Sequence, residues 1–248
     1  MIMVKSEKEI SAMRASSKIA ARVLNEVGNH IVVGINTKNL ENIAAKEIRH
    51  LGARSVCLGY KGFPGVICTS VNDVIVHGIP STKEKLKEGD IIAVDVCIIY
   101  EGFCGDVTKT YPVGRISPEA KKLLAVTSES LNNAIKKCMA GCRVGDISQA
   151  IQSTVETAGF SASRDFTGHG IGRSLHEDPV IPNYGQAGTG TRIPENVCLA
   201  VESMIHQGGW QIKLLPDKWT AVTLDGKLAA HFEHTILVKK NSAEILTV

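Results

Sequence analysis

The sequence predicts an α+β fold, on three observations. Four stretches place apolar residues at the 3.6-residue spacing of half-buried helices. Between and after them lie runs rich in valine, isoleucine and leucine, bounded by turn residues, which suits a central, mostly antiparallel sheet flanked by helices. No Pro/Ser-rich linker or low-complexity segment divides the 248 residues, so one domain over 1–248 is expected.

The first helix opens on a capping box, Ser6 with Glu9, and carries Ile10, Met13, Ser17, Ala20, Leu24 and Val27 on one face before Gly28. A second fits 37–51, with Leu40, Ala44 and Ile48 inward and Gly52 after it. A third begins at "SPEA", with Ser117 as cap and Pro118 in the first turn. Its predicted face is Leu124, Thr127, Leu131, Ala134 and Cys138, and Gly141 ends it. The fourth is expected to start at Asp146, with Gln149 in the capping-box position, and to stop at Gly159. Leu40, Ala44, Ile48 and Gly52 match Ile147, Ile151, Val155 and Gly159 at a constant offset of 107 residues (147 against 40), a sign of two pseudo-symmetric halves, roughly 1–115 and 116–248. Among the strands, "GVICTSVNDVIVHGI" reads as a hairpin about Asn72-Asp73, and "IIAVDVCIIYEGFCGDVTKTYPV" as another about Glu101-Gly102. "NVCLAVESMI" and "HFEHTILV" complete the set.

Bulk properties exclude several classes. No run approaches the ~18 apolar residues of a membrane helix, and the first residues lack the apolar core of a signal peptide, so the expected compartment is the cytoplasm, with no membrane partner. Net charge is only +3, too little to argue for DNA. The lysine pairs at 121–122, 136–137 and 239–240 read as solvated faces or a weak anionic docking surface. Seven cysteines, an odd count, read as reduced thiols; Cys138 and Cys142 would be half a zinc site at most, since no second ligand pair follows.

Four carboxylates interrupt the apolar strands: Asp95 in "AVDVCII", Asp106 in "CGDVTK", Glu202 in "LAVESM" and Glu233 in "HFEHTI". A buried carboxylate costs several kcal/mol unless it is paired or binds a metal. Asp95 and Asp106 flank the Glu101-Gly102 turn almost symmetrically, so they are expected to lie close across the hairpin, where opposed like charges destabilise. Something positive must hold them: either a lysine or arginine, of which only Lys109 is close in sequence, or a metal. With His169 from "DFTGHGIGRSLHEDP", the set has too many anionic groups for one zinc ion and suits two divalent ions bridged by carboxylates. Such a pair serves hydrolysis, lowering the pKa of a shared water towards ~7 and polarising a scissile carbonyl. His77 and His176 are surface or core residues taken singly, and candidates for binding a peptide or an oxyanion beside metals. His30, His50, His206, His231 and His234 carry no assignment, although His231 and His234 flank Glu233. Phosphate-loop, dinucleotide, GxSxG and HExxH readings of the histidine stretch fail on spacing.

The blocks "SVNDVIVHGIP", "GDIIAVDV", "GFCGDVTKTYPVG", "GHGIGRSLHEDP", "VCLAVESM" and "HFEHTILV" fall in an order and spacing that resembles the bacterial-type (type I) methionine aminopeptidases, metallopeptidases of family M24, along nearly the whole chain. The resemblance implies a pseudo-twofold "pita-bread" fold and a dinuclear hydrolase that removes initiator methionine from nascent chains, preferentially before a small second residue, by attack of metal-bound hydroxide. It implies that Asp106 and Glu233 bridge two divalent ions (iron, manganese, cobalt or zinc), that Asp95 completes one, and that His169 and Glu202 complete the other. Glu202 would act as general acid and base, His176 would stabilise the tetrahedral intermediate and His77 would contact the substrate near the scissile amide. Cys57, Tyr60, Phe63, Cys68, His77, Leu175 and Trp219 would line a methionine pocket, a soft apolar set suited to a thioether. At Leu175 the family commonly has an aromatic residue, so the pocket shape there departs from the pattern. A structural monovalent cation, transient ribosome contact and a monomeric state also follow from the resemblance. Relatives such as prolidase and aminopeptidase P, which usually carry a large N-terminal domain, are the competing activity, and a catalytically dead binding module on the same fold, which would have lost ligands where this chain keeps all five, is the non-enzymatic alternative.

Overall fold

The computed structural model describes residues 1–248. Helix α1 (Glu7–Gly28) begins on the expected reciprocal Ser6–Glu9 cap, and all six predicted inward residues are buried. Helix α2 (Thr37–His50) is capped by the Asn36 side chain on the Asn39 amide, and α3 (Pro118–Lys137) by Ser117 on Ala120. In α3 the buried stripe runs through Leu123, Thr127, Leu131 and Ala134, with Leu124 only half-buried, and the helix ends before Cys138 rather than at Gly141. Helix α4 (Val144–Thr157) starts two residues ahead of the expected Asp146. Asp146 is its third residue, and its carboxylate accepts the Arg143 amide at 2.8 Å and so closes the first turn from inside.

The strands are β1 (Arg54–Ser55), β2 (Cys68–Val71), β3 (Val74–Val76), β4 (Ile91–Tyr100), β5 (Phe103–Pro112), β6 (Ser161–Ala162), β7 (Thr167–Gly170), β8 (Glu177–Pro182), β9 (Cys198–His206), β10 (Ile212–Leu214), β11 (Ala221–Thr223), β12 (Ala229–Val238) and β13 (Ala243–Ile245). All pairings are antiparallel. One sheet holds β1, β2, β4 and β5; a second holds β6 to β9, β12 and β13; a small third joins β10, β11 and β3. The hairpin expected about Asn72-Asp73 is not a ladder. The turn forms, with Asn72 at φ 54°, but β2 pairs with β4 while β3 pairs with β11, so the two arms enter different sheets.

Strand periodicity explains why this fold carries charge inside. In β4, Ile92, Val94, Val96 and Ile98 pack with Leu24, Leu40 and Ile48 under α1 and α2. The intervening Asp95 and Cys97 face the other way. In β9, Leu199, Val201 and Ile205 pack under α3 and α4 with Leu123, Ile147 and Ile151, and Glu202 and Met204 take the opposite face. The two large sheets meet along β5 and β12 through side chains. The Thr110 hydroxyl donates to the His231 carbonyl and accepts its amide at 2.8 and 2.9 Å; Thr235 does the same with Asp106 at 2.7 and 3.2 Å. This reciprocal pattern is the signature of a local two-fold axis between the strands.

Candidate metal centre

All thirteen residues singled out from the sequence line one cavity of about 390 Å³ between the sheets. Asp95 comes from β4, Asp106 from β5, His169 from β7, Glu202 from β9 and Glu233 from β12. The opposed like charges are not the pair expected. Asp95 faces Thr108 and Asp106 faces Cys97, so these two are diagonal neighbours on one face of the hairpin. Glu202 and Glu233 are the directly opposed pair.

No lysine or arginine holds this cluster. Lys109 pairs with Val94 and so points to the other face, where its ammonium lies 5.0 Å from the Tyr111 ring. The only basic neighbours are imidazoles: His169 Nε2 stands 3.3 Å from Glu202 Oε1 and 3.7 Å from Asp106 Oδ2, and His231 Nε2 stands 3.3 Å from Glu202 Oε2. Burial holds His231 down to about 4 and lowers His169 as well, so neither is a cation at neutral pH. His169 Nδ1 donates to the Gly170 carbonyl at 2.9 Å, which leaves Nε2 with a lone pair aimed at the carboxylates.

The carboxylates respond as uncompensated buried acids do. Burial pushes Asp95 and Glu202 up to about 7, and pushes Asp106 and Glu233 well above the ordinary range with help from their acidic neighbours. Thr108 donates to Glu233 Oε2 at 2.8 Å and the Cys97 thiol to Asp95 at 3.3 Å. Asp106 Oδ1 and Glu233 Oε1 are buried with no hydrogen-bond partner. Asp106, His169 and Glu233 present donor atoms within 4.8 Å of one another. Orphaned anionic oxygens, a free imidazole lone pair and no fixed cation fit divalent metal ions bound by oxygen with one nitrogen.

Around this centre, Phe63 meets Trp219 edge-on with centroids 5.1 Å apart, and His77 meets Trp219 at 5.9 Å and Phe166 at 5.5 Å. Leu175 is buried in the wall. His176 sits at the mouth, its Nδ1 2.7 Å from the Tyr60 hydroxyl and its ring 4.3 Å from that of His169. Eight lining residues carried no sequence assignment to the site, among them His231, Cys97 and Phe166. His231 lines the cavity and Cys97 lies between Asp95 and Asp106. Both follow from strand period two, since 95 and 97, and 231 and 233, share a face; His234, out of phase, turns away to the Thr247 hydroxyl. Phe166 has no comparable signal, because its wall position depends on how β7 meets β3. The glycines of the histidine stretch serve strand packing. A Cβ on Gly168 would lie 2.5 Å from the Ala200 carbonyl oxygen, and one on Gly170 would lie 2.0 Å from that of Asp178, so they let neighbouring strands close on β7.

Residues 11–240 match the model of metallopeptidase family M24. The chain belongs to metallopeptidase family M24. Within the family it sits among methionine aminopeptidases. It is 48% identical to methionine aminopeptidase A of Synechocystis over 98% of this chain and 96% of the relative. It is 46% identical to methionine aminopeptidase 1 of Bacillus subtilis over 100% and 99%. The crystal structure of methionine aminopeptidase from Thermotoga maritima superposes with a TM-score of 0.98 at 45% identity, covering 100% of this chain and 99% of the other. The pita-bread fold expected from the resemblance is thus the fold of this M24 metallopeptidase. No helix is long and apolar enough to cross a membrane.

Proposed function

We propose that this metallopeptidase removes the N-terminal methionine of nascent polypeptides in the cytoplasm, with a small second residue preferred, as one catalytic domain. The observation that carries the reading is the junction of two environments in one cavity: orphaned carboxylate oxygens at one end, and at the other a wall of Cys57, Phe63, Cys68, Leu175 and Trp219, the size and softness of a thioether side chain.

Asp106 and Glu233, with Asp95, His169 and Glu202, would together hold two divalent ions. When bound, the ions supply Lewis acidity at the scissile carbonyl and a water acidic enough to ionise near neutrality. The chain's own groups do the rest. Glu202, held near neutrality by burial, takes a proton at its carboxylate and delivers it to the leaving amine. His176, with Nδ1 accepting from Tyr60, has Nε2–H left to donate to the developing oxyanion. His77, braced edge-on by Phe166 and Trp219, donates towards the scissile amide. His231 Nε2 lies 3.3 Å from Glu202 Oε2 without a hydrogen bond, so the imidazole packs against that carboxylate. The test is anaerobic release of methionine from Met-Ala-Ser with iron, manganese, cobalt and zinc compared, alongside Xaa-Pro peptides. Preferential turnover of Xaa-Pro substrates would replace this reading with a prolidase-type one.

A further inference from the structure

Three consecutive residues lead from the cavity to the surface. Phe166 packs edge-on against His77 inside, Asp165 lies at the rim, and Arg164 is exposed outside it. Arg164 is not a loose surface side chain. Its guanidinium carbon lies 4.8 Å from the Trp210 ring centroid and 5.5 Å from that of Tyr184, a planar cation held by two aromatic faces. Arg14 and Arg173 give their N–H donors to Glu244 and Glu9. Arg164 makes only the two ring contacts and keeps its donors free. A fixed fork of unused donors just outside a substrate cavity has already lost its rotamer entropy, so a ligand that meets it gains the bonds at little ordering cost.

The geometry points to Arg164, clamped between Trp210 and Tyr184, as the binding site for main-chain carbonyl groups of the substrate peptide beyond its second residue. This rests on the methionine aminopeptidase reading, in which the N-terminal side chain fills the closed end and the rest of the chain leaves past the rim. Main-chain carbonyls are the fitting acceptor because they recur in every peptide, whereas Asp165 beside Arg164 repels acidic side chains. The excursion between β9 and β12 supplies both Trp219 to the pocket and Trp210 to this shelf, so one segment would grip the substrate at two places.

The experiment compares two C-terminally amidated peptides, Met-Ala-amide and Met-Ala-Ser-Gly-Gly-amide, with wild type, Arg164→Ala and Arg164→Lys. Amidation removes the terminal carboxylate that any cation would attract. The expected result is a KM for the longer peptide raised about tenfold in Arg164→Ala, with kcat and the KM for Met-Ala-amide unchanged. Arg164→Lys should behave like the alanine variant, because lysine offers charge without the planar fork or the stack. Equal changes on both peptides would mean a merely structural residue and would overturn the shelf. So would no change on either, or full rescue by lysine. If wild type releases no methionine from either peptide, the underlying activity fails and the shelf falls with it; turnover of both with a length-independent Arg164→Ala effect sinks the shelf alone.

Discussion

The strand pair β4–β5 and the pair β9–β12 do the same job in different ways. Each brings two carboxylates to the cavity, and Asp95 and Glu202 stand 107 residues apart (202 against 95), the spacing that also separates the starts of the 14-residue helices α2 and α4 (144 against 37). The first pair is closed by the two-residue turn Glu101-Gly102, with φ of 49° and 81°. The second is interrupted by residues 207–228, which form β10 and β11, pair with β3 and place Trp219 in the cavity wall. A tight turn with two left-handed residues fixes register and little else. A long excursion costs only modest loop entropy and can carry contacts to substrate. The two pairs therefore share the cavity carboxylates, and one of them alone adds a wall.

If the ligands are shared, the hairpin and the interrupted pair are equally necessary. Asp106→Ala and Glu233→Ala should each lower methionine release by on the order of a thousandfold and cut bound divalent metal, read by elemental analysis. A variant that keeps wild-type turnover would end the two-sided assignment.

The next test concerns the balance of charge between the pairs. Asp95 and Glu202 are both raised to about 7, and Asp106 and Glu233 still higher. The folded metal-free chain thus holds protons more tightly than the unfolded one above about pH 4, and these groups lose stability as pH rises through 7. His77 and His231, lowered to about 4, and His169, His176, His206 and His234, lowered in the same direction by burial, act in the opposite sense, adding stability as pH rises to their unfolded value near 6.5; above that value only the carboxylates still change. Metal-free protein should therefore melt on the order of 5 °C lower at pH 8 than at pH 6.5, and added divalent metal should reverse the order. Equal melting at both pH values would mean that the carboxylates already have a compensating partner.

Trp219 separates the pairs, since the hairpin has no counterpart to it. Trp219→Ala should reduce kcat/KM for methionine peptides about tenfold, with metal content unchanged. Lost metal instead would make the excursion a support of the centre rather than of the pocket.

The smallest effect lies at the edge. Glu244 on β13 meets Arg14 of α1 at 2.7 Å, and the guanidinium holds its carboxyl down to about 2. With Arg14 41% exposed, solvent screening limits the contribution to about 1 kcal/mol or less. That contribution is present above the unfolded value near 4 and is lost as pH falls towards 2. The melting difference between wild type and Glu244→Gln should shrink over that interval; a difference that persists at pH 2 would point to packing instead of charge.

Much of this was legible in the chain. Helix faces and caps follow from local spacing, so α1 and α2 match closely, and α4 was displaced because an acidic residue in the first turn imitates a cap. The converging carboxylates were visible because a carboxylate inside an aliphatic strand violates burial rules, and four violations need a common cause. His231 was missed because a histidine beside a glutamate is ambiguous until strand phase is known. The false hairpin at Asn72-Asp73 shows the same limit: a turn sequence determines that the chain reverses, and not which partner each arm will find.

By itself the sequence determined the α+β class, most helix faces and caps, and the four carboxylates that need a common partner, because periodicity, capping and misplaced charge are local properties; the pocket set came only with the family resemblance. Only the tertiary structure decided that Glu202 opposes Glu233, that β2 and β3 part company, and that Arg164 is clamped beside the cavity. Those facts depend on register and on contacts between strands far apart in the chain, where a shift of one residue would turn every side chain to the other face.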